Sequence, residues 1–229
     1  MTPRTFFFSS RRTLLASALM LTLGTPALAA KPAPQVQFTT SEGNFVVELY
    51  PDKAPKTVAN FLHYVKAKHY DGTIFHRVIP DFMIQGGGYD AKLIERPARQ
   101  RVVHEGRQAY QAGLRNVTGS IAMARTNDPD SAGAQFFINV KDNGFLDPVP
   151  IPDADPVPRF VYQGRTYTNV SRASLERAPQ LYGYTVFGKV VSGMDTVMRI
   201  RQQPTGPLGP FASDVPRHTV LIESATQIK

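Results

Sequence analysis

The chain has 229 residues, enough for one sizeable domain or two small ones, and its 42% hydrophobic and 19% charged residues are typical of globular proteins. Cysteine is absent, which excludes disulfide bonds, thiolate catalysis and cysteine metal sites. The net charge is +8, but the basic residues are dispersed rather than clustered. This distribution disfavours binding to nucleic acid and favours a solvated basic surface.

Residues 1–29 have the parts of an export signal. Three arginines give a basic start, and the run TLLASALMLTLG is too short to span a bilayer as a mature helix. ALA at 27–29 is a small-x-small cleavage site, which places the mature start at Ala30. An uncleaved anchor is the alternative, and the short run and the cleavage site argue against it.

The export signal predicts a periplasmic protein. The Arg11-Arg12 pair resembles a twin-arginine signal, but such pairs also occur in ordinary Sec signals, and we favour Sec. Cleavage removes three arginines and no acidic residue, so the mature chain carries a net charge of +5. It keeps no second long apolar segment, so we expect no membrane association after signal removal.

The first elements after the flexible lead-in, 30–35, are a hairpin and a helix. VQFTT and NFVVELY favour strands and flank a turn sequence at 41–43. Within 54–70 the period changes, and from Val58 apolar residues recur at i, i+3, i+4 and i+7, on one face of a helix. Pro55 suits the first helical turn.

Strands dominate the rest of the chain. TIFHRVIPDFMIQGG, 73–87, predicts two strands broken at Pro80-Asp81, and GMDTVMRIRQQ predicts a second helix. The sequence shows no βαβ alternation and no internal repeat. The pattern favours a mainly β protein, a closed antiparallel barrel with helices over its ends. The other predicted strands are GSIAMA, QFFINV, TVFGKVV and HTVLIESATQI.

Residues 147–182 differ from the rest. Their first twelve residues include five prolines, which exclude helix and central strand there. RFVYQGRTYTNV could form a small hairpin around Gln163-Gly164. We interpret 147–182 as an insertion loop within a domain that spans 36–229.

Four motifs follow one another in the chain, within a match that spans most of residues 36–227: FHRVIPDFMIQGG, GSIAMARTNDPDSAGAQFFINV, FLD and YTVFGKVVSGMD. Together they resemble the cyclophilins, and TTSEGNFVVELYPDKAPKTVANF with the leader resembles the bacterial periplasmic type. The resemblance implies a closed eight-stranded antiparallel β-barrel capped by two α-helices. It also implies peptidyl-prolyl cis-trans isomerase activity. No cofactor is expected, and the five histidines lack metal-binding spacing, so no metal is expected either.

The chemistry of this reaction explains a polar residue in an apolar strand. Rotation about an X-Pro bond breaks amide resonance but no covalent bond, against a barrier of roughly 18–20 kcal/mol. An apolar pocket and a donor aimed at the prolyl nitrogen favour the twisted amide. The resemblance places Arg77 at the catalytic position. The alternative is an arginine paired with a buried carboxylate for structure, but Asp and Glu are absent from 72–80.

The resemblance also implies the substrate contacts. Gln85 would bind the substrate backbone and help to hold Arg77, and Gln135 matches another polar residue on the substrate side. Ala124 and Arg125 match the strand that pairs with the bound peptide through its backbone. The proline pocket would be lined by Phe82, Met83, Phe137 and Leu146, with an aromatic wall from Phe145 and Tyr184.

Three positions depart from the common family pattern. Many cyclophilins have tryptophan at the position of Phe145, histidine at Tyr184 and asparagine at Arg125. The tryptophan is associated with tight cyclosporin binding, so we expect weak binding of that drug at most. Isomerase activity is less affected, because Phe145 and Tyr184 still provide an aromatic wall.

The expected partners are proline-containing peptides and unfolded exported proteins, and we expect a monomer. The alternative function is a chaperone or binding module that holds proline-containing segments with little turnover. A hydrolase is disfavoured, because no G-x-S-x-G motif occurs. Leu146 and Tyr184 lie at the two ends of the insertion, so we hypothesise that it packs along the pocket rim and restricts the substrates. The alternative is a solvated loop.

Overall fold

The computed structural model describes residues 1–2 and 32–229. The predicted signal peptide therefore lies, apart from its first two residues, outside the described residues. Residues Pro32–Lys229 form one compact unit. Its strands are β1 (Gln35–Thr40), β2 (Gly43–Leu49), β3 (Thr73–Ile79), β4 (Met83–Asp90), β5 (Ser120–Met123), β6 (Phe136–Asn139), β7 (Val157–Tyr162), β8 (Arg165–Val170), β9 (Val186–Ser192), β10 (Thr205–Leu208), β11 (Phe211–Pro216) and β12 (Leu221–Gln227). Its helices are α1 (Pro55–Lys66), α2 (Gly106–Gln111), α3 (Arg172–Glu176) and α4 (Met194–Arg201).

Eight of these strands close into an antiparallel barrel, in the order β1-β12-β3-β4-β6-β5-β9-β2. The predicted barrel is confirmed. So are the hairpin of β1 and β2 and the pair of β3 and β4, which is broken at Pro80-Asp81 as the sequence predicts. The predicted helices are α1 and α4; the shorter helices α2 and α3 are not predicted by the sequence pattern.

Aromatic side chains fill the barrel. Phe38 and Phe45 stack at 4.8 Å across the first hairpin, and Phe136 lies 5.3 Å from Phe38. Helix α1 adds Phe61, whose ring lies 5.0 Å from that of Phe187. All five are at most 1% exposed. Full burial of each such ring stabilises the fold by roughly 1.5–3 kcal/mol relative to leaving the ring in water.

The start of α1 is held by a distant carboxylate. Ala54, at the N-cap position, provides no side-chain cap. Glu105, which is 5% exposed, instead accepts hydrogen bonds from the backbone N–H groups of Lys56 (3.0 Å) and Thr57 (2.7 Å) and from the Thr57 hydroxyl (2.8 Å). A carboxylate suits this place, because the first N–H groups of a helix lack intrahelical partners and carry partial positive charge.

The insertion is folded. Strands β7 and β8 pair with Tyr162 opposite Arg165, around Gln163-Gly164, so the predicted hairpin is confirmed. Helix α3 follows, capped by Ser171. A separate small core holds these elements together and consists of Val157, Phe160, Leu175 and Leu181.

A second two-stranded ribbon, β10 with β11, lies against β3 of the barrel. The Phe211 ring lies 5.6 Å from that of His76 and 5.0 Å from that of Tyr89. The sequence pattern does not predict this ribbon. Among the described residues, no helix has the length and apolar character needed to cross a membrane.

Candidate active site

A cavity of about 220 Å³, here called the central cavity, opens on the outer face of the barrel beside β3, β4 and β6. Its lining brings together nine of the eleven site residues that the sequence predicts. The other two, Gln135 and Phe145, line cavities directly beside it. The nine lining residues are Arg77, Phe82, Met83, Gln85, Ala124, Arg125, Phe137, Leu146 and Tyr184.

Strand register places three of these residues side by side. Arg77 on β3 is opposite Gln85 on β4, and Gln85 is opposite Phe137 on β6. Side chains at paired positions point to the same face of a sheet. The three side chains therefore form a row across the strands, with the arginine at one end and the buried phenylalanine at the other.

The arginine in this row is half exposed and has a carboxylate neighbour. The Nε atom of Arg77 lies 3.6 Å from Oδ2 of Asp214, with the two side chains 43% and 32% exposed. Asp214 comes from the ribbon strand β11, in the left-handed region of φ (67°). An ion pair therefore exists, and its carboxylate comes from a segment far along the chain rather than from the neighbours of Arg77 at 72–80. Both side chains are partly exposed, so this ion pair differs from the alternative role of Arg77, a pair with a buried carboxylate.

The expectation that Gln85 holds Arg77 is not met in the structure. Among the described residues, no hydrogen bond joins the two side chains. The Gln85 amide instead donates to Oε1 of Gln135 (3.0 Å). Gly88 makes room for this arrangement, since a Cβ at that position would overlap the Gln135 side chain. The two glutamines border a neighbouring cavity of about 430 Å³, the lateral cavity.

The apolar wall of the central cavity is built from aromatic pairs. Phe82 stacks on Phe145 at 5.7 Å, and Phe137 meets the Tyr184 ring edge-on at 5.4 Å. Phe137 is only 4% exposed, whereas Phe145 is 75% exposed and stands on the rim. The departures from the family pattern at Phe145 and Tyr184 thus keep an aromatic wall, as expected.

A buried polar network fixes the position of this wall. The Asn143 amide donates to the backbone carbonyl of Phe82 (2.8 Å) and to Oδ1 of Asn139 (2.7 Å), and the Asn139 amide donates to Ser120 (2.9 Å). The Asn116 amide donates to Asp147, at the end of the segment that carries Leu146. Sequence reasoning missed these residues, because isolated asparagines between strands look like turn residues.

The charged side chains that line the central cavity are arginines. Within residues 32–229, the lining includes two arginines and no Asp, Glu or His, and the Asp214 carboxylate contacts Arg77 from outside the lining. The nearby His104 ring lies 3.3 Å from the Gly183 carbonyl. Burial, with the positive charge of Arg125 adding to its effect, lowers the pKa of His104 to about 4. At neutral pH this imidazole is uncharged, so the lining offers a cationic donor beside an apolar surface rather than a nucleophile with a base.

The fold and the site together define the class of protein: a closed eight-stranded antiparallel barrel whose surface cavity is lined by arginine and apolar side chains. The family described as "Cyclophilin type peptidyl-prolyl cis-trans isomerase/CLD" matches residues 35–227. The chain belongs to this family of enzymes.

Similar proteins agree with this assignment. Peptidyl-prolyl cis-trans isomerase A of Dickeya dadantii (strain 3937) is 40% identical over 222 residues, which cover 96% of this chain and 99% of the relative. Peptidyl-prolyl cis-trans isomerase B of Escherichia coli (strain K12) is 42% identical over 191 residues, 83% of this chain and 98% of the relative. A crystal structure of a Cryptosporidium parvum cyclophilin-type isomerase aligns with a TM-score of 0.55 at 24% identity, over 86% of this chain and 98% of that one, and supports the fold.

Proposed function

We propose that this isomerase accelerates X-Pro bond rotation in exported proteins as they fold, with the proline ring in the central cavity and Arg77 as the donor to the prolyl nitrogen. The single observation that carries the proposal is the row of Arg77, Gln85 and Phe137 across β3, β4 and β6. It sets a permanent cation beside a buried aromatic ring.

The two halves of the site suit the two demands of the reaction. A twisted amide is less polar than a planar one, so an apolar surface such as Phe137, Met83 and Leu146 favours it. The nitrogen lone pair appears only in the twisted state, so a donor aimed there stabilises the transition state more than the ground state. Arginine is always charged and presents five N–H donors.

Arg77 keeps donors available for this task. Its contact with Asp214 involves Nε. Its two terminal nitrogens make no hydrogen bond within residues 32–229. The half exposure of the side chain leaves these nitrogens accessible to a peptide that lies over the central cavity.

In this proposal, the backbone of the substrate peptide binds along the extended segment that follows β5. Ala124 and Arg125 follow β5 beyond its last paired residue, Met123, and both line the central cavity. An extended peptide that binds along this segment, with Gln85 as a further polar contact, would keep its X-Pro bond over the central cavity.

The test compares the wild-type protein with Arg77→Ala. We expect the variant to fold normally but to lose isomerase activity on a short X-Pro peptide by roughly 10²–10³-fold, as for the removal of one oxyanion-hole donor. Arg159→Ala, an exposed arginine on β7, is the matched control and should keep full activity. Circular dichroism and urea unfolding check the fold of both variants.

Two results would count against the mechanism. Near-wild-type turnover of a folded Arg77→Ala variant would remove the arginine from the reaction. A wild-type protein that binds proline-containing peptides but does not accelerate their isomerisation would favour the alternative, a binding module or chaperone.

The proposed compartment is the periplasm, and the support for it is the leader at 1–29 with its ALA cleavage site. N-terminal sequencing of the protein from a periplasmic extract should give a start at Ala30. Recovery of the uncleaved chain from the cytoplasm would overturn this part of the proposal.

A further inference from the structure

A third cavity, the rim groove, continues from the central cavity on the side of the insertion. Its volume is about 570 Å³, and it shares Arg125, Leu146 and Tyr184 with the central cavity. Its outer wall includes Phe145 and, from the limb of the insertion that returns to the barrel, Pro179 and Gln180. The insertion therefore forms part of a groove that joins the central cavity.

The wall that the insertion contributes is held in place. The Val149 N–H donates to the Leu181 carbonyl (3.0 Å), and the Tyr184 N–H donates to the Leu146 carbonyl (2.9 Å). The segment that leaves the barrel, residues 146–148, contacts the returning segment at Gly183. There φ is +62°, and a Cβ would overlap the backbone of 146–148. This contact between the limbs fixes where the returning limb meets the rim.

Arg125 fastens that limb to the site. Its Nε donates to the Gly183 carbonyl (2.9 Å) and one terminal nitrogen to the Pro179 carbonyl (3.4 Å). The guanidinium also lies over the Tyr184 ring at 4.8 Å. The shorter asparagine that many cyclophilins carry here could not reach both carbonyls. Arg125, one of the departures from the common family pattern, therefore holds the returning end of the long insertion directly.

The surface of the rim groove indicates its occupant. The Phe145 ring is 75% exposed, a large apolar surface left uncovered beside the site. The rest of the groove lining is uncharged apart from the Arg125 cation; it includes Thr126 and Asn127 and, among the described residues, no carboxylate. None of the five prolines at the start of the insertion lines this groove or the central cavity; Pro148 and Pro150 line a separate cavity against α2. The proline-rich start of the insertion therefore lies away from the groove, and the returning limb contributes Pro179 to its wall.

We propose that the rim groove is a second binding subsite, which holds an apolar or aromatic side chain of an extended substrate polypeptide close to its X-Pro bond. The side chain lies on Phe145 and against Pro179 and Gln180 of the insertion. The inference rests on the proposed function, since it assumes that the X-Pro bond occupies the central cavity. If the subsite exists, the insertion helps to determine which substrates are preferred. The preferred substrates are then longer chains with a bulky apolar residue near proline.

The test fills the groove by substitution. Gln180→Trp places a large side chain in the rim groove, and Thr166→Trp places the same side chain on exposed β8, away from both cavities. Each variant is assayed on a short X-Pro peptide and on two extended peptides, which carry phenylalanine or glycine beside the X-Pro segment. Extensions on either side of proline identify the end of the substrate that enters the groove.

We expect wild type to prefer the phenylalanine peptide over the glycine peptide in kcat/KM. In Gln180→Trp this preference should fall by roughly five- to tenfold, the effect of losing about 40–60 Å² of apolar contact. Thr166→Trp should keep the wild-type preference. A preference that is absent in wild type, or equal in Gln180→Trp and Thr166→Trp, overturns the subsite. Failure of wild type to accelerate even the short peptide would instead contradict the proposed function, so the two failures are distinguishable.

Discussion

Arg77 on the barrel strand β3 and Asp214 on the ribbon strand β11 form an ion pair, with 3.6 Å between Nε and Oδ2. Because both side chains are partly exposed, the pair contributes little to stability. We infer that its effect is on orientation, because the carboxylate contacts the guanidinium through Nε and so leaves the two terminal nitrogens for the substrate. Asp214 is therefore a positioning residue for the proposed donor.

Asp214→Asn tests this relationship. Asparagine tolerates the left-handed backbone at this position (φ 67°) but removes the charge. We expect kcat/KM to fall by about two- to fivefold, in line with the 0.2–1 kcal/mol typical of an exposed pair. In an Arg77→Ala background the same substitution should have no further effect. An equal loss in both backgrounds would show that Asp214 acts independently of Arg77.

Glu105→Ala tests the distant cap of α1. Its removal leaves two backbone N–H groups and the Thr57 hydroxyl without their acceptor. We expect the free energy of unfolding in urea to fall by roughly 2–3 kcal/mol. Glu223→Ala, at an exposed position of β12, should change it by less than about 0.5 kcal/mol. Equal stability of the two variants would contradict the capping role.

His76 makes stability depend on pH. It is 3% exposed, and burial between Tyr89 and Phe211 lowers its pKa to about 4, with the charge of Arg77 adding to the shift. The unfolded chain binds a proton at this residue near pH 6.5 and the folded chain only near pH 4. The neutral imidazole therefore supports the fold fully above about pH 6.5, and this support is lost as the pH falls toward 4.

The measurement is urea unfolding at pH 7 and at pH 4.5. Wild type should lose roughly 2–3 kcal/mol through His76 over this interval. His76→Phe keeps a ring between Tyr89 and Phe211 but removes the titrating imidazole. Its free energy of unfolding should therefore fall by roughly 2–3 kcal/mol less than that of wild type over the same interval. His104, whose pKa is also lowered to about 4 by burial, titrates in both proteins. Parallel losses in wild type and His76→Phe would show that His76 does not set the dependence.

Phe145→Trp tests the departure that concerns cyclosporin. The side chain stands on the rim and is largely exposed, so a larger ring fits without disturbing the core. Indole covers more apolar surface and adds an N–H donor, so we expect cyclosporin to bind roughly five- to tenfold more tightly. Turnover of a short peptide should change less. Calorimetry on wild type and Phe145→Trp measures the two cyclosporin affinities. Equal affinities would show that Arg125 or Tyr184, rather than Phe145, weakens the binding of the drug.

Much of the barrel follows from local patterns in the sequence. The sequence predicts the hairpin of β1 and β2 and the buried face of α1. It does so because the spacing of apolar residues, every second position in a strand and every third or fourth in a helix, shows which side is buried. The neighbourhood of Arg77, Phe82 and Phe137 depends on more than a pattern. Arg77 and Phe82 share one motif, but Phe137 belongs to another one much further along the chain, and the family resemblance is what places the three at one site.

Contacts between distant segments could not be predicted in this way. Asp214 reaches Arg77 because a ribbon rich in glycine and proline folds over β3, and such a composition reads as a loop. Glu105 caps α1 from about fifty positions away, where nothing near Ala54 signals a cap. The folded form of the insertion depends on Leu175 and Leu181 packing under β7, which the hairpin signal alone does not contain.

The closure of the barrel has a consequence for a protein that would work among unfolded chains. Unfolded polypeptides expose strand-forming segments that pair with any free sheet edge and seed aggregates. In the barrel formed by residues 35–227, β1 pairs with β12 and with β2, so the ring of strands has no open edge. In the proposed role, an unfolded substrate would therefore find no free edge of the central sheet with which to pair.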